Sequence, residues 1–154
     1  MKRTLYTFFV SVLVSTFNPI HAQYDNKDII YLVFQENDGS APYNRGKKFY
    51  YEREKGTVFN HLVRGSFLFK DGMKSDTLDL SELHKFKITK AEEIDKLVAN
   101  WRERNHDDLV SYYGDNYPPF DKNGMFETYI IEIFDEDGCI VVYPVSWRGE
   151  NTTR

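Results

Sequence analysis

A single cysteine, Cys139, stands among 154 residues, so no intramolecular disulfide can staple this chain. Small eukaryotic secreted scaffolds depend on such staples, and that class is set aside. Histidine is nearly as scarce, with four in the whole chain. Of the three beyond Ala22, His61, His84 and His106, none is paired with another His, a Cys or a nearby carboxylate in a recognised ligand pattern, so no metal site and no cofactor is expected. There is no glycine-rich phosphate loop, no Gly-x-Ser-x-Gly elbow and no Ser-x-x-Lys pair, which leaves phosphate cradles and the familiar serine nucleophiles without a signal. Positive charge is also short: 20 Lys and Arg face 24 Asp and Glu, a net of −4. Phosphate backbones need clustered cations, so nucleic acid is excluded as a partner. Finally, the longest apolar run, Leu5 to Phe17, has 13 residues. A helix needs roughly 20 to cross a bilayer, and no transmembrane anchor is expected.

That run belongs to a different pattern. Lys2 and Arg3 precede it, Asn18-Pro19 bends the chain after it, and Ile20-His21-Ala22 ends on a small residue. This is the three-part layout of a secretory signal peptide, with cleavage expected after Ala22. No cysteine follows the run closely enough to take a lipid. The product is expected to be exported and soluble, in a periplasm or outside the cell. Cleavage removes Lys2 and Arg3 and no acid, so 18 basic residues then face 24 acidic ones, a net of −6. The 132 residues left from 154 after losing 22 suit one domain able to bury a core unaided.

The pattern after Gln23 predicts an α+β fold. Asp28 to Gln35 is apolar on both faces, which suits a central strand covered on both sides. Lys47–Glu54, Thr57–Val63 and Ser66–Lys70 read as strands broken at Lys55-Gly56, Arg64-Gly65 and Lys70–Met73, an antiparallel meander. Asp79 to Phe86 has no readable period. Thr89 and Glu92 have capping-box spacing, and Ile94, Leu97, Val98 and Trp101 then recur at helical spacing. These predict one main amphipathic helix, about 89–104, packed on one face of the sheet. Asn105 ends it, and His106–Tyr113 reads as a second short helix closed by Gly114. Gly114 to Gly124 reads as a loop around Pro118-Pro119. Phe126–Phe134 and Cys139–Val145 form a C-terminal β-hairpin, about 126–145, across the acidic loop Asp135–Gly138. Pro144 is expected to mark either the end of pairing or a strand lying at an edge, and Trp147 onward to be a frayed tail.

Few residues carry chemistry in a readable pattern. His106-Asp107-Asp108 cannot converge on a metal from a regular helix, because adjacent side chains diverge by about 100°. Asp135–Asp137 and Glu36–Gly39 lack the ligand spacing of a calcium loop and read as turns. Glu127 and Glu132 interrupt an apolar strand, and their odd spacing puts them on opposite faces. Cys139 opens an apolar strand, where a buried, inert thiol is the usual case. Tyrosine is the suggestive residue, since it offers a rigid apolar body with a polar tip. The stretch from Tyr112 through Tyr113 and Tyr117 to Phe120 is the best binding loop in the chain. The reading that follows is an exported binding or interaction protein with a protein or glycan partner, in the manner of a periplasmic inhibitor or immunity protein. The alternative is a small envelope hydrolase using Glu127, Glu132, Asp115 or His106. The oligomeric state is not encoded in any of these patterns. Expressed in a secreting host, the protein is expected to appear with Gln23 at its N-terminus by intact mass. A product that keeps Met1 overturns the leader assignment.

Overall fold

A computed structural model of the chain describes residues 27–36, 45–61, 64–115 and 121–149. The stretch 1–22 read as a leader, with Tyr24, Tyr43, Tyr117, Phe120 and Asn151–Thr153, lies outside these residues. The fold is α+β, as its sequence implies, and it is organised around strand β1 (Asp28–Glu36). Ile30, Leu32 and Phe34 are each buried on one face of β1, while Tyr31 packs into a second cluster on the other. That second face is only partly covered, since Tyr31 and Val33 are half-buried and Ile29 is 53 % exposed, so the apolar run overstates its burial.

Both neighbours of β1 run parallel to it. β6 (Phe126–Phe134) pairs with it over seven residues, from Asp28↔Phe126 to Phe34↔Glu132. β2 (Arg45–Tyr51) pairs with it only at Gln35↔Arg45 and Glu36↔Gly46. The sheet is therefore mixed, which corrects the expectation of an antiparallel one. The reason lies in stagger. Parallel neighbours usually need a crossover of a dozen or more residues, but β2 begins where β1 ends, so the chain need not travel back along the sheet. The meander survives in β2, β3 (Gly56–His61) and β4 (Gly65–Lys70), which pair antiparallel in sequence.

The C-terminal hairpin of β6 and β7 (Cys139–Gly149) closes the arrangement. One edge of β7 holds β6. Residues Cys139 to Val142 also pair with β5 (Asp76–Asp79), a strand without a sequence signal, and Ser146 to Gly149 pair with β4. The strand order β4-β3-β2-β1-β6-β7 thus returns to β4, and six strands form a ring. Inside it, Phe34, Phe59, Phe67, Ile130 and Trp147 form one cluster with Tyr143, and each fully buried Phe contributes about 1.5–3 kcal/mol. Phe34 and Phe59 meet edge to face with centroids 5.1 Å apart, and Phe59 and Tyr143 meet at a tilt at the same distance.

Two readings of β7 need correction. Pro144 does not end the strand, since it pairs with Tyr129 and the strand continues to Gly149. It falls between the residues that pair with β5 and those that pair with β4, where its missing N–H costs that edge nothing. Nor is Trp147 in a frayed tail: it is 7 % exposed, with its indole against Phe67.

The helices cover one end of the ring. The stretch starts with a 3₁₀ turn, Ala91–Glu93, and continues as α1 (Ile94–Arg104). Thr89 is not the cap, because its N–H donates to the Tyr31 carbonyl at 2.8 Å and ties it to β1. Lys90 takes that place, and its backbone N–H donates to Glu93. Ile94 and Trp101 are buried on the inner face with Leu97 and Val98 beside them. Asn105 ends α1 by donating to the Trp101 carbonyl at 2.7 Å. α2 (His106–Tyr113) follows, and Gly114 closes it at φ 77°, where a side chain would be strained. A short α3 (Lys122–Met125), capped by Asp121, leads into β6. The unreadable segment forms a 3₁₀ helix, Leu80–Lys85, whose Leu83 joins Phe86 over the outer face of β6 and β7.

Gly56 belongs to β3, not to the preceding turn; Lys55 takes the left-handed position instead, at φ 47°. A Cβ on Gly56 would lie 2.2 Å from the Phe69 carbonyl oxygen, an immovable backbone atom. Gly56→Ala is expected to lower unfolding free energy by about 1–3 kcal/mol, the usual range for overpacking, as read by urea denaturation. An unchanged midpoint contradicts the close β3–β4 approach.

Candidate functional site

Three regions concentrate polar or aromatic groups. The first lies inside the ring. Glu132 projects inward from β6 and is 5 % exposed. Lys48 of β2 donates to its Oε1 at 2.6 Å, and the Tyr143 hydroxyl donates to Oε2 at 3.1 Å. The Lys48 ammonium also lies 5.7 Å from the Phe134 ring centroid, a cation–π distance. Burial, and then the Glu132 carboxylate, hold the Tyr143 phenol well above its ordinary value. A buried carboxylate survives only when paired and hydrogen-bonded, and here each oxygen has its own donor. The cluster fastens β2, β6 and β7 together.

The second region is a cleft of about 290 Å³ between β1, the end of β3 and the start of the helical stretch. Leu32, Val33, Ile88 and Ala91 supply apolar walls, and His61, Thr89, Lys90 and Glu92 supply polar groups. His61 is 5 % exposed. Burial first, and then the Arg64 charge, lower its pKa from the ordinary 6.5.

The third region is the end of α2. Tyr112 is 45 % and Tyr113 37 % exposed, and their rings meet edge to face at 4.6 Å. Asp107, Asp108 and Asp115 around them are also exposed. The other two residues of the expected loop, Tyr117 and Phe120, fall outside the described residues.

The remaining candidates do not gather. Glu127 lies on the outer face of β6, exposed, and accepts from the Tyr129 hydroxyl, which pushes that phenol up to about 12. Glu132 lies on the inner face, so the two carboxylates are separated by the strand, as their spacing requires. His106 is exposed at the start of α2 and Asp115 beyond its end. Cys139 is half-buried at the first residue of β7. Among the described residues no three His, Cys, Asp or Glu side chains stand close enough to hold a metal ion, and no helix is long and apolar enough to cross a membrane. The His61 cleft was invisible in the sequence, because its walls come from residues about 30 apart in two steps of the chain with no local period.

The His61 environment sets a pH dependence. Its folded pKa lies below 6.5, so the unfolded chain takes up the proton first as pH falls. The corresponding stability is present above pH 6.5 and is lost below it. The melting temperature is expected to fall between about pH 7 and pH 5, and His61→Gln to flatten that slope. Equal slopes in the two proteins contradict a buried neutral imidazole. No family model, no curated protein and no solved structure matches this chain.

Proposed function

We propose that this chain is an exported, soluble binding protein that holds a basic protein partner on the outer side of α1 and α2, with Tyr112 and Tyr113 as the aromatic anchor. It would act in a periplasm or outside the cell, as an inhibitor or immunity-type protein does. The observation that carries this reading is the exposure of the paired Tyr112 and Tyr113 rings at the end of an acidic helical segment. Rigid aromatic side chains of this kind dominate binding energy where they are desolvated by a partner.

Charge points to the partner. Between Lys90 and Asp115 seven acids (Glu92, Glu93, Asp95, Glu103, Asp107, Asp108, Asp115) face four bases (Lys90, Lys96, Arg102, Arg104). All seven acids are exposed, whereas Arg102 is half-buried and Arg104 pairs with Asp28. The surface presented is thus more acidic than the count. Such a face speeds encounter with a cationic surface and rejects an acidic one.

The test uses the chain from Gln23 immobilised against cell-envelope extract. A basic protein is expected to be retained in stoichiometric amount and released by raised salt. Tyr112→Ala with Tyr113→Ala is expected to weaken its binding on the order of 30-fold, the effect of losing a hot spot, with an unchanged melting temperature. Asp107→Lys with Asp108→Lys is expected to slow its association. Retention that is indifferent to both pairs of substitutions, or turnover of a glycan by the wild-type chain, overturns the proposal.

A further inference from the structure

Beside that acidic face, and sharing Asp95 and Arg102 with its helix, three cations from three separate elements lie at the helical end of the ring. Arg64 stands in the β3–β4 turn, with a side chain only 15 % exposed. Its Nη1 donates to Asp95 at 2.7 Å. Asp95 and Arg102 are seven residues apart on α1, two helical turns, so they share one flank of that helix. Lys122, the first residue of α3, places its ammonium 4.8 Å from the Trp147 ring centroid. Both guanidinium groups are close enough to depress the Lys122 pKa, after burial as the first cause, while Asp95 and Asp121 act in the opposite sense.

Two donors of this cluster stand out. The Nε atoms of Arg64 and Arg102 are both buried, and neither has a hydrogen-bond partner among the described residues. A buried donor left unmet costs about 1–3 kcal/mol, and more when charged. A guanidinium cannot escape by losing its proton. The two nearby carboxylates have other work. Asp95 is 72 % exposed and engaged with Nη1 of Arg64, and Asp121 accepts from the backbone and side chain of Asn123. Half-buried guanidinium forks beside an ammonium match a compact anion with several lone pairs, because such an anion can accept from more than one fork at once.

We propose that Arg64, Arg102 and Lys122 form a binding site for a small oxyanion, a phosphate or carboxylate group, beside Trp147. The anion would supply acceptors to the two Nε–H groups and offset the repulsion among three like charges. It would also brace the β3–β4 turn against α1 and α3, three elements that no backbone ladder joins to one another. This site is independent of the tyrosine pair, and either assignment can fail without the other.

The experiment titrates the full chain with inorganic phosphate and, separately, with acetate, each against sodium chloride of equal ionic strength. Melting temperature and tryptophan fluorescence are read together, since Trp147 lies against Lys122. One of the two anions is expected to raise the melting temperature by several degrees at millimolar concentration, following the linkage of a ligand that binds only the folded state, and to change the fluorescence. Which anion does so identifies the group. Arg102→Gln is expected to abolish both responses. If that variant does not fold, Lys122→Gln is read the same way, with broadening of the phosphate phosphorus resonance as a further measure on the wild-type chain. A rise that chloride matches, or one that persists in the folded variants, overturns the site.

Discussion

Closure of the strand ring at the β4–β7 seam is the constraint on which the rest of this structure depends. β7 is shared by three partners, and Trp147 stands where the last of them joins. Its ring packs on Phe67 of β4 at 4.4 Å, and its Nε1–H donates to Thr128 of β6 at 2.9 Å. Its backbone N–H donates to Asn123 of α3 at 2.7 Å, and the Lys122 ammonium rests over the indole. One buried side chain thereby links both strands at the seam to the helical cover. Without the seam, β4 and the second half of β7 would be open edges, a liability for any sheet protein.

The ring also sorts charge. Among the described residues its interior admits one carboxylate, Glu132, on the condition that Lys48 and Tyr143 meet it from the neighbouring strands. At the helical end the sense is reversed, with Arg64 and Arg102 burying Nε donors near Lys122. The outer sides of α1 and α2 are acidic. An acidic protein therefore carries a cationic cluster and an anionic face on the same helical layer. Net charge would describe only the second of these.

How much of this was legible in the sequence follows from the range of each interaction. The periodicity of Ile94, Leu97, Val98 and Trp101 located α1, and Asn105 and Gly114 marked both helix ends, because those signals are local. The β6–β7 hairpin was equally plain. The start of α1 was displaced because Thr89 bonds to Tyr31, a contact about 58 residues distant that capping rules do not weigh. Parallel pairing of β1 with β6 and the β4–β7 seam were not legible, since strand direction and partner depend on the path of the intervening chain. Trp147 was misplaced for the same reason: polar residues around it look like a tail until β4 comes to lie alongside. Of the sites, the surface tyrosines were legible by composition. His61 and the three cations were not, because each cluster draws single residues from distant segments.

The parallel pairing of β1 with β6 has a consequence for the time course of folding. The main ladder of β1 joins Asp28 to Phe126, so that strand is satisfied only by a segment about 98 residues further along the chain. The seam with β4 requires residues as late as Gly149. Contacts this distant in sequence slow the search for the native state. The β2–β3–β4 meander, the β6–β7 hairpin and the helices are local and need no distant partner. The two joints that close the ring, β1 to β6 and β4 to β7, are the distant ones, so closure is the step that topology makes slow.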